Sequence, residues 1–303
     1  MGQFMIRNVI SVLITLWFAV TVTFFMLRVL PGDAISAQLI QAGATEAEII
    51  GQRDALGLNQ PIIQQYVDYM IRLIQGDMGD SLTVGLPVRL MIQQQISPTI
   101  FLACTTMIVA IIWGVLLGIG AVSEATFIRR VCQLIVNLAI STPIYWTGTL
   151  LIIIFAVELR WFPITGNGNA KSLILPVSLL SFHVSGAIAR IVQINLNEIK
   201  RASYILVAHA KGLTAQYILY RHIFRVALLP IISVIALQYG FLLSGTVITE
   251  TLFSRPGLGS LLLSATQNQD YPLVQGLVVL TATLYIITNL IAEFLQKIAD
   301  PRL

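Results

Sequence analysis

The sequence predicts an all-α polytopic membrane protein with six transmembrane helices, and three observations carry that prediction. Of the 303 residues 56% are hydrophobic and 11% are charged, with a mean hydropathy of +0.84. Six runs, at 8–30, 99–122, 131–157, 172–195, 226–249 and 271–292, are long enough for a hydrocarbon layer that needs about 20 apolar residues per helix. The charges, finally, are unevenly divided. With the N-terminus inside, the inner face would hold Arg7, Arg129, Arg130, Arg190, Lys200, Arg201, Lys211, Arg221, Arg225, Lys297 and Arg302, but only Glu124, Glu198, Glu293 and Asp300 of the 14 acidic residues. Both ends are therefore expected in the cytoplasm. The net charge of +4 reads as a topology signal, since no nucleic-acid motif accompanies it.

The first run is too long for a signal peptide and no small-residue cleavage site follows it, so it stays as the first span. Residue 6 is Ile, which removes a myristoylation motif at Gly2. Mixed polarity then continues to residue 98. Thr45 with Glu48 three residues on is a capping box opening a helix over 45–56. Gly57, Asn59 and Pro61 end it, and a second helix follows over 62–74 with Ile62, Tyr66, Tyr69 and Leu73 on one face. The expected organisation is thus a first transmembrane helix over 1–30, an extracytoplasmic segment over 31–98, and a five-helix core over 99–303 carrying a cytoplasmic loop at 196–225.

In the second run Gly114 and Gly118 form a small-xxx-small pair that admits another helix closely. The third run has Asn137, Ser141, Thr142 and Pro143 near its middle, where a proline frees backbone groups that protein or cavity water must meet. Such a polar break suits a translocation path and equally a packing kink. Trp161 and Phe162 fit an outer interfacial belt. Pro176, His183 and Arg190 interrupt the fourth run; an ionisable His183 at that depth is a functional candidate or a satisfied core histidine. Gln238 and Ser244 of the fifth run complete the candidate path. Thr246 and Glu250 follow, then Phe253, Pro256, Gly257, Leu258 and Gly259, expected to make a tight outer re-entrant turn into a short amphipathic helix, with Asp270 and Pro272 opening the sixth span.

Several functions are excluded by absence. No G-x-x-x-x-G-K-[ST], H-E-x-x-H or G-x-S-x-G occurs, and no paired carboxylates lie at membrane depth, so no catalytic residue and no bound nucleotide or other cofactor is expected. A lone histidine is a poor metal site, and Cys104 and Cys132 suit neither a disulfide framework nor zinc.

The stretch 195–225, NLNEIKRASYILVAHAKGLTAQYILYRHIFR, carries Lys200, Arg201, Lys211, Arg221 and Arg225. Apolar residues at helical spacing lie on both sides of Gly212, which predicts two short amphipathic helices hinged there. A basic helix of this kind can lie on anionic lipid or on a partner.

Ala208, Ala210, Lys211, Gly212 and Leu213, then Arg221 and His222, then Leu228, Leu229 and Pro230 resemble the cytoplasmic EAA loop of bacterial ABC importer permeases. Leu206, Val207 and Ala208 stand where that loop has Glu, Ala and Ala. LPGDA, LGLNQPIIQQYVDYM, GDMGDS, PVRLMIQQQISPTIFLA, the WFP-x-x-G sequence and ITETLFSRPGLGSLLLSATQNQDYPLVQG resemble the dipeptide, oligopeptide and nickel branch, in the first of its two permease chains. The resemblance implies the type I permease fold in the bacterial inner membrane and a loop that docks on a separate ATPase, which binds the ATP. It implies as partners a second, paralogous permease, two ATPase chains, an extracytoplasmic solute-binding protein and membrane lipid. Import of di- or oligopeptides is the implied function, with nickel, a nickel chelate, glutathione or an opine-like solute as alternatives. In that branch the outer segment helps receive the binding protein, which makes Asp77, Asp80 and Arg89 docking candidates. Phe253, Pro256, Gly257 and Gly259 become candidates for an outer gate. An ion-coupled secondary transporter would need midplane carboxylates or a relay, and only His183 is available.

Overall fold

The computed structural model describes residues 2–29, 36, 39–40, 43–55, 57–165, 170–214, 217 and 224–299. Among them there is no strand, only an isolated bridge between Asp80 and Pro87. In chain order the helices are α1 (Gly2–Val29), α2 (Glu46–Ala55), α3 (Ile62–Ile74), α4 (Val88–Gly120), α5 (Thr126–Ser141), α6 (Ile144–Leu151), α7 (Lys171–Lys200), α8 (Ser203–Ala210), α9 (Phe224–Gly245), α10 (Val247–Leu252), α11 (Leu258–Gln267) and α12 (Tyr271–Ala299). α6 continues with wider winding over Ile152–Glu158, where Leu159 N–H reaches back to Ile154 O.

Every apolar run of the sequence falls on helix. α1, α4, α7 and α12 are each long and apolar enough to cross a membrane alone. Two runs differ from expectation. The third is not one helix: α5 and the α6 continuation meet at 108°. Pro143 explains the break, because it lacks an N–H and forces the preceding residue out of the helical region; Thr142 is extended at φ −85, ψ 137. The fifth divides at Gly245 into α9 and α10, and the apolar part of α9 is the shorter stretch Leu228–Leu243. α4 also begins earlier than the apolar run, at Val88, and accommodates Pro98 within it.

The chain packs as two compact units, Met1–Pro98 with Pro256–Ile286, and Thr99–Arg255 with Ile287–Leu303. The first has a core of Leu27, Val88, Ile92, Leu258, Leu273, Val274 and Leu277. Gly276 lets two of its helices close up, since a Cβ there would stand 2.5 Å from a Val88 methyl carbon. α2 is opened by the expected capping box: Glu48 Oε2 accepts from Thr45 N–H at 2.7 Å and from Thr45 Oγ1 at 2.8 Å. Those bonds hold the Glu48 carboxyl below the usual range.

The second unit is built on α7, which touches α5, α6, α9 and α10. Its contact with α4 is the small-residue seam read from the sequence. A Cβ at Gly114 would stand 2.7 Å from Ile188 Cβ, and one at Gly118 would stand 2.5 Å from Val192 Cβ. Glycines four apart thus meet β-branched residues four apart, one knob to each gap. At Gly186 the same device admits Ala139 of α5, whose Cβ lies 2.6 Å from the missing position.

Gly118→Val adds atoms against Val192 and the Ala189 carbonyl 2.9 Å away, and is expected to cost about 1–3 kcal/mol as overpacking. Gly51→Ala, on α2 with nothing within 4 Å, is expected to be neutral or to stabilise by about 0.5–1 kcal/mol. Melting temperatures of the two purified variants in detergent check the contrast.

Candidate functional site

The broken third span is held by a residue from another helix. An α-helical carbonyl normally accepts from the N–H four residues on, but for Ala139 that residue is Pro143, which has none. His183 Nδ1 fills the gap at 2.8 Å from Ala139 O. A carbonyl only accepts, so Nδ1 carries the hydrogen and the ring is held in that tautomer. Nε2 is buried and has no partner among the described residues. Thr142 Oγ1 donates to Leu138 O at 2.7 Å and Thr147 Oγ1 to Thr142 Oγ1 at 3.3 Å, so the hydroxyls at the break are engaged as well. Asn137, Ser141 and Pro143 are exposed. The structure thus brings His183 to the break; Gln238 is half-buried on α9, with no hydrogen bond to either. The Ser244 side chain lies outside what is described.

At one end of the second unit, α7 stops at Lys200 and α8 follows with Ile205 buried and Val207, Ala210 and Lys211 exposed. Gly212 has φ +76, the left-handed conformation that ends a helix, and a Cβ on it would meet nothing within 4 Å. Leu213 is half-buried. The expected second helix, with Arg221 and His222, lies outside the described residues, as does the side chain of Ala208. A cavity of about 550 Å³ is lined by Ile191 and Asn195 at the end of α7, Leu229, Pro230, Ser233, Val234 and Leu237 at the start of α9, and Gln296. Its walls are therefore the two helices from which the basic loop departs, with Gln296 added by α12.

The turn after α10 is mostly buried. Phe253 is fully buried against Leu175 and Leu179, which makes it a core residue of its unit. Gly257 and Gly259 are buried as well, and Pro256 is half-buried. Glu250, expected only to mark the outer end of the fifth span, is fully buried: its Oε1 accepts from Thr99 Oγ1 at 2.7 Å and from Thr246 Oγ1 at 2.9 Å. Burial lowers the pKa of the nearby Arg255, and the Glu250 carboxylate opposes that shift.

In the first unit Asp77 and Asp80, on the turn that leads into α4, and Arg89, at the start of α4, are all exposed. That turn is fixed by a residue read in the sequence merely as a helix opener. Asp270 is fully buried, and its carboxylate accepts from Ser81 Oγ at 2.5 Å, Thr83 Oγ1 at 2.8 Å, Leu82 N–H at 3.1 Å and Thr83 N–H at 3.3 Å. It also caps α12 through Leu273 N–H at 3.4 Å. Its serine and threonine partners lie nearly two hundred positions away, so no local pattern could have revealed them. No group of three or more His, Cys, Asp or Glu able to hold a metal occurs among the described residues.

Residues 1–112 match the N-terminal component, and residues 110–303 the main component, of a family described as binding-protein-dependent transport system inner membrane components. The chain belongs to that family. Its members are permease subunits, not enzymes. The chain is 32% identical over 312 residues to the probable peptide ABC transporter permease protein y4tP of Sinorhizobium fredii, covering 100% of this chain and 99% of the relative. To the glutathione transport system permease protein GsiC of Escherichia coli strain K12 it is 33% identical over 303 residues, covering 99% and 98%. Among solved structures, the inward-facing MetNI methionine ABC transporter superposes with a TM-score of 0.56 at 16% identity, covering 70% of this chain and 97% of the other. An amino acid ABC transporter gives a TM-score of 0.53 at 16% identity. Both show a shared importer permease fold.

Replacing Asp270 by Ala removes the acceptor of two hydroxyls and three backbone N–H groups, and is expected to destabilise the permease by on the order of 3 kcal/mol, with Asp270→Asn milder because one acceptor oxygen survives. His183→Leu leaves Ala139 O unpaired at the break and is expected to cost about 1–3 kcal/mol. Thermal melts in detergent check both; for His183, unchanged melting with lost transport would assign the residue to the path instead.

Proposed function

We propose that this chain is one of two permease subunits of an ABC importer that carries di- or oligopeptides across the bacterial inner membrane. The observation that carries the reading is similarity over the whole chain to a probable peptide permease. The second permease would be a paralogue, and the path would run between the two. Two ATPase chains would bind ATP, and an extracytoplasmic binding protein would deliver the solute. The basic loops at 196–225 and at the α5 start favour a cytoplasmic placement of both termini.

In this reading α8 and Gly212 form the surface on which an ATPase docks. ATP binding closes the ATPase pair and draws the loops together; hydrolysis releases them. Such a cycle moves the permease only because ATP has unequal affinity for the two arrangements. Asn137, Ser141, Thr142 and Pro143 are the candidate lining of the path. Asp77, Asp80 and Arg89 would meet the binding protein, their exposure being what that role needs.

Gly212→Asp tests the coupling assignment. Aspartate tolerates the left-handed conformation better than most residues, at about 1–2 kcal/mol, and open space surrounds the position. The variant is expected to insert and to melt nearly as the parent does, while binding-protein-stimulated ATP hydrolysis and uptake fall together. Uptake equal to the parent's would sink the assignment. The solute is read by uptake of labelled dipeptide, glutathione and nickel into vesicles holding the co-expressed complex, where accumulation of nickel alone would overturn the peptide reading.

A further inference from the structure

In the first unit α3 lies against α1. Three contacts fix its depth against α1, whose apolar stretch is Ile10–Val29. Tyr66 Oη is 2.8 Å from Thr21 Oγ1. Thr21 lies about 12 Å below Val29 along the helix axis, at a rise of 1.5 Å per residue. The Tyr66 ring packs edge-on to Phe24 at 5.2 Å, and the Tyr69 ring stacks on Phe24 at 5.6 Å. Phe24 is itself about 8 Å below the helix end. Gln65 Oε1 accepts from Arg28 Nε at 3.0 Å, while the Arg28 guanidinium lies 3.5 Å from the Phe24 ring centroid. A cation with aromatic rings beneath it marks the level of the lipid headgroups.

α3 has a second apolar face that stays exposed among the described residues of its unit. Ile63 is 72% exposed, Val67 47%, Ile71 50% and Ile74 81%, and their spacing puts them on one stripe. Gln64, Asp68 and Arg72 occupy the remaining arc, away from both the stripe and the tyrosines. At the depth set by Thr21 and Phe24, the surroundings of such a stripe are acyl chains. The exposed Phe25, Met26 and Val29 on the same end of α1 extend that apolar surface.

We propose that α3 is an interfacial helix lying in the outer leaflet, with Ile63, Val67, Ile71 and Ile74 in contact with lipid and Asp68 and Arg72 turned to the headgroups and water. The partner is the phospholipid surface itself. Helices of this type sink their apolar face about 5–10 Å into the boundary between headgroups and chains, which agrees with the depth given by the tyrosine contacts. The inference rests on α1 crossing the membrane and is independent of the solute carried.

The test uses the full chain in phosphatidylcholine vesicles with bimane on single introduced cysteines at Val67, Asp68, Ile71 and Arg72, subtracting the signal of the parent with Cys104 and Cys132. All four positions face outward, so the substitutions leave the packing intact. Labels at 67 and 71 are expected to lose fluorescence to 5-doxyl phosphatidylcholine and to resist iodide supplied on both sides; labels at 68 and 72 are expected to respond to iodide. Iodide quenching at 67 and 71 would put the stripe in water and overturn the proposal. Quenching there by neither agent would mean that protein, such as a second copy, covers the stripe, which overturns it too. A label at Phe18 serves as the membrane control. Its failure to be quenched by 12-doxyl lipid would overturn the proposal together with the transmembrane reading of α1, and so is distinguishable from failure at α3 alone.

Discussion

Hydrocarbon supplies no hydrogen-bond partner, and much of this structure follows from that constraint. Hydroxyls within the helices turn back on the carbonyl one turn earlier: Thr15 to Ser11 at 2.8 Å, Thr23 to Ala19 at 2.8 Å and Thr283 to Val279 at 2.7 Å. Where a helix is interrupted, the freed group must be met from elsewhere. Pro143 removes a donor, and an imidazole on α7 restores it. Glu250 is buried and receives two threonine hydroxyls, one from Thr99 on α4 and one from Thr246 at the start of its own helix. The polar residues of the membrane part therefore mark the places where the backbone departs from regular helix or where helices are tied.

What was legible in the sequence was what local physics decides. Apolar length placed all six runs, the pair Thr45 and Glu48 gave the start of α2, and Gly57 to Pro61 gave the gap before α3. Gly114 and Gly118 gave a close approach, though not its partner, because Ile188 and Val192 lie on a helix that no short-range pattern connects to α4. Pro143 marks the break in the third run, but the 108° angle between its two halves is not legible in composition, because a proline kink and a full break leave the same trace. Distance along the chain hid the rest. His183 looked like an isolated intramembrane histidine until Ala139, 44 positions away, supplied its partner. Phe253 is a gate candidate through the family resemblance alone, and its burial against Leu175 and Leu179 was not legible because those residues lie far away in the chain.

The arrangement of the second unit also bears on how movement would travel. α7 is one continuous helix from Lys171 to Lys200. His183, near its middle, clasps the broken span, and its far end leads within three residues into α8. Some 26 Å of helix, at 1.5 Å per residue, separates the clasp from the basic loop. A rigid rod over that length transmits displacement of the loop to the break without any chain of intermediate side chains. The glycine seam along α4 constrains such motion to sliding or rocking, since ridges fitted into gaps resist separation.

The first unit meets a different requirement, that of holding a polar segment still. Asp270 does this with directional hydrogen bonds from five donors. A buried carboxylate surrounded by hydroxyls and N–H groups is costly to desolvate, but it fixes direction as well as distance. Ser81, Leu82 and Thr83 must present their donors to one point, and the turn bearing Asp77, Asp80 and Arg89 is thereby set in one orientation on the start of α12. At its other end the segment is held by the contacts of α3 with aromatic rings on α1. A surface loop pinned at one side by a directional polar cluster and at the other by an apolar helix has little freedom left to lose when a partner arrives, and an interface that is already ordered binds without the entropic cost of ordering it.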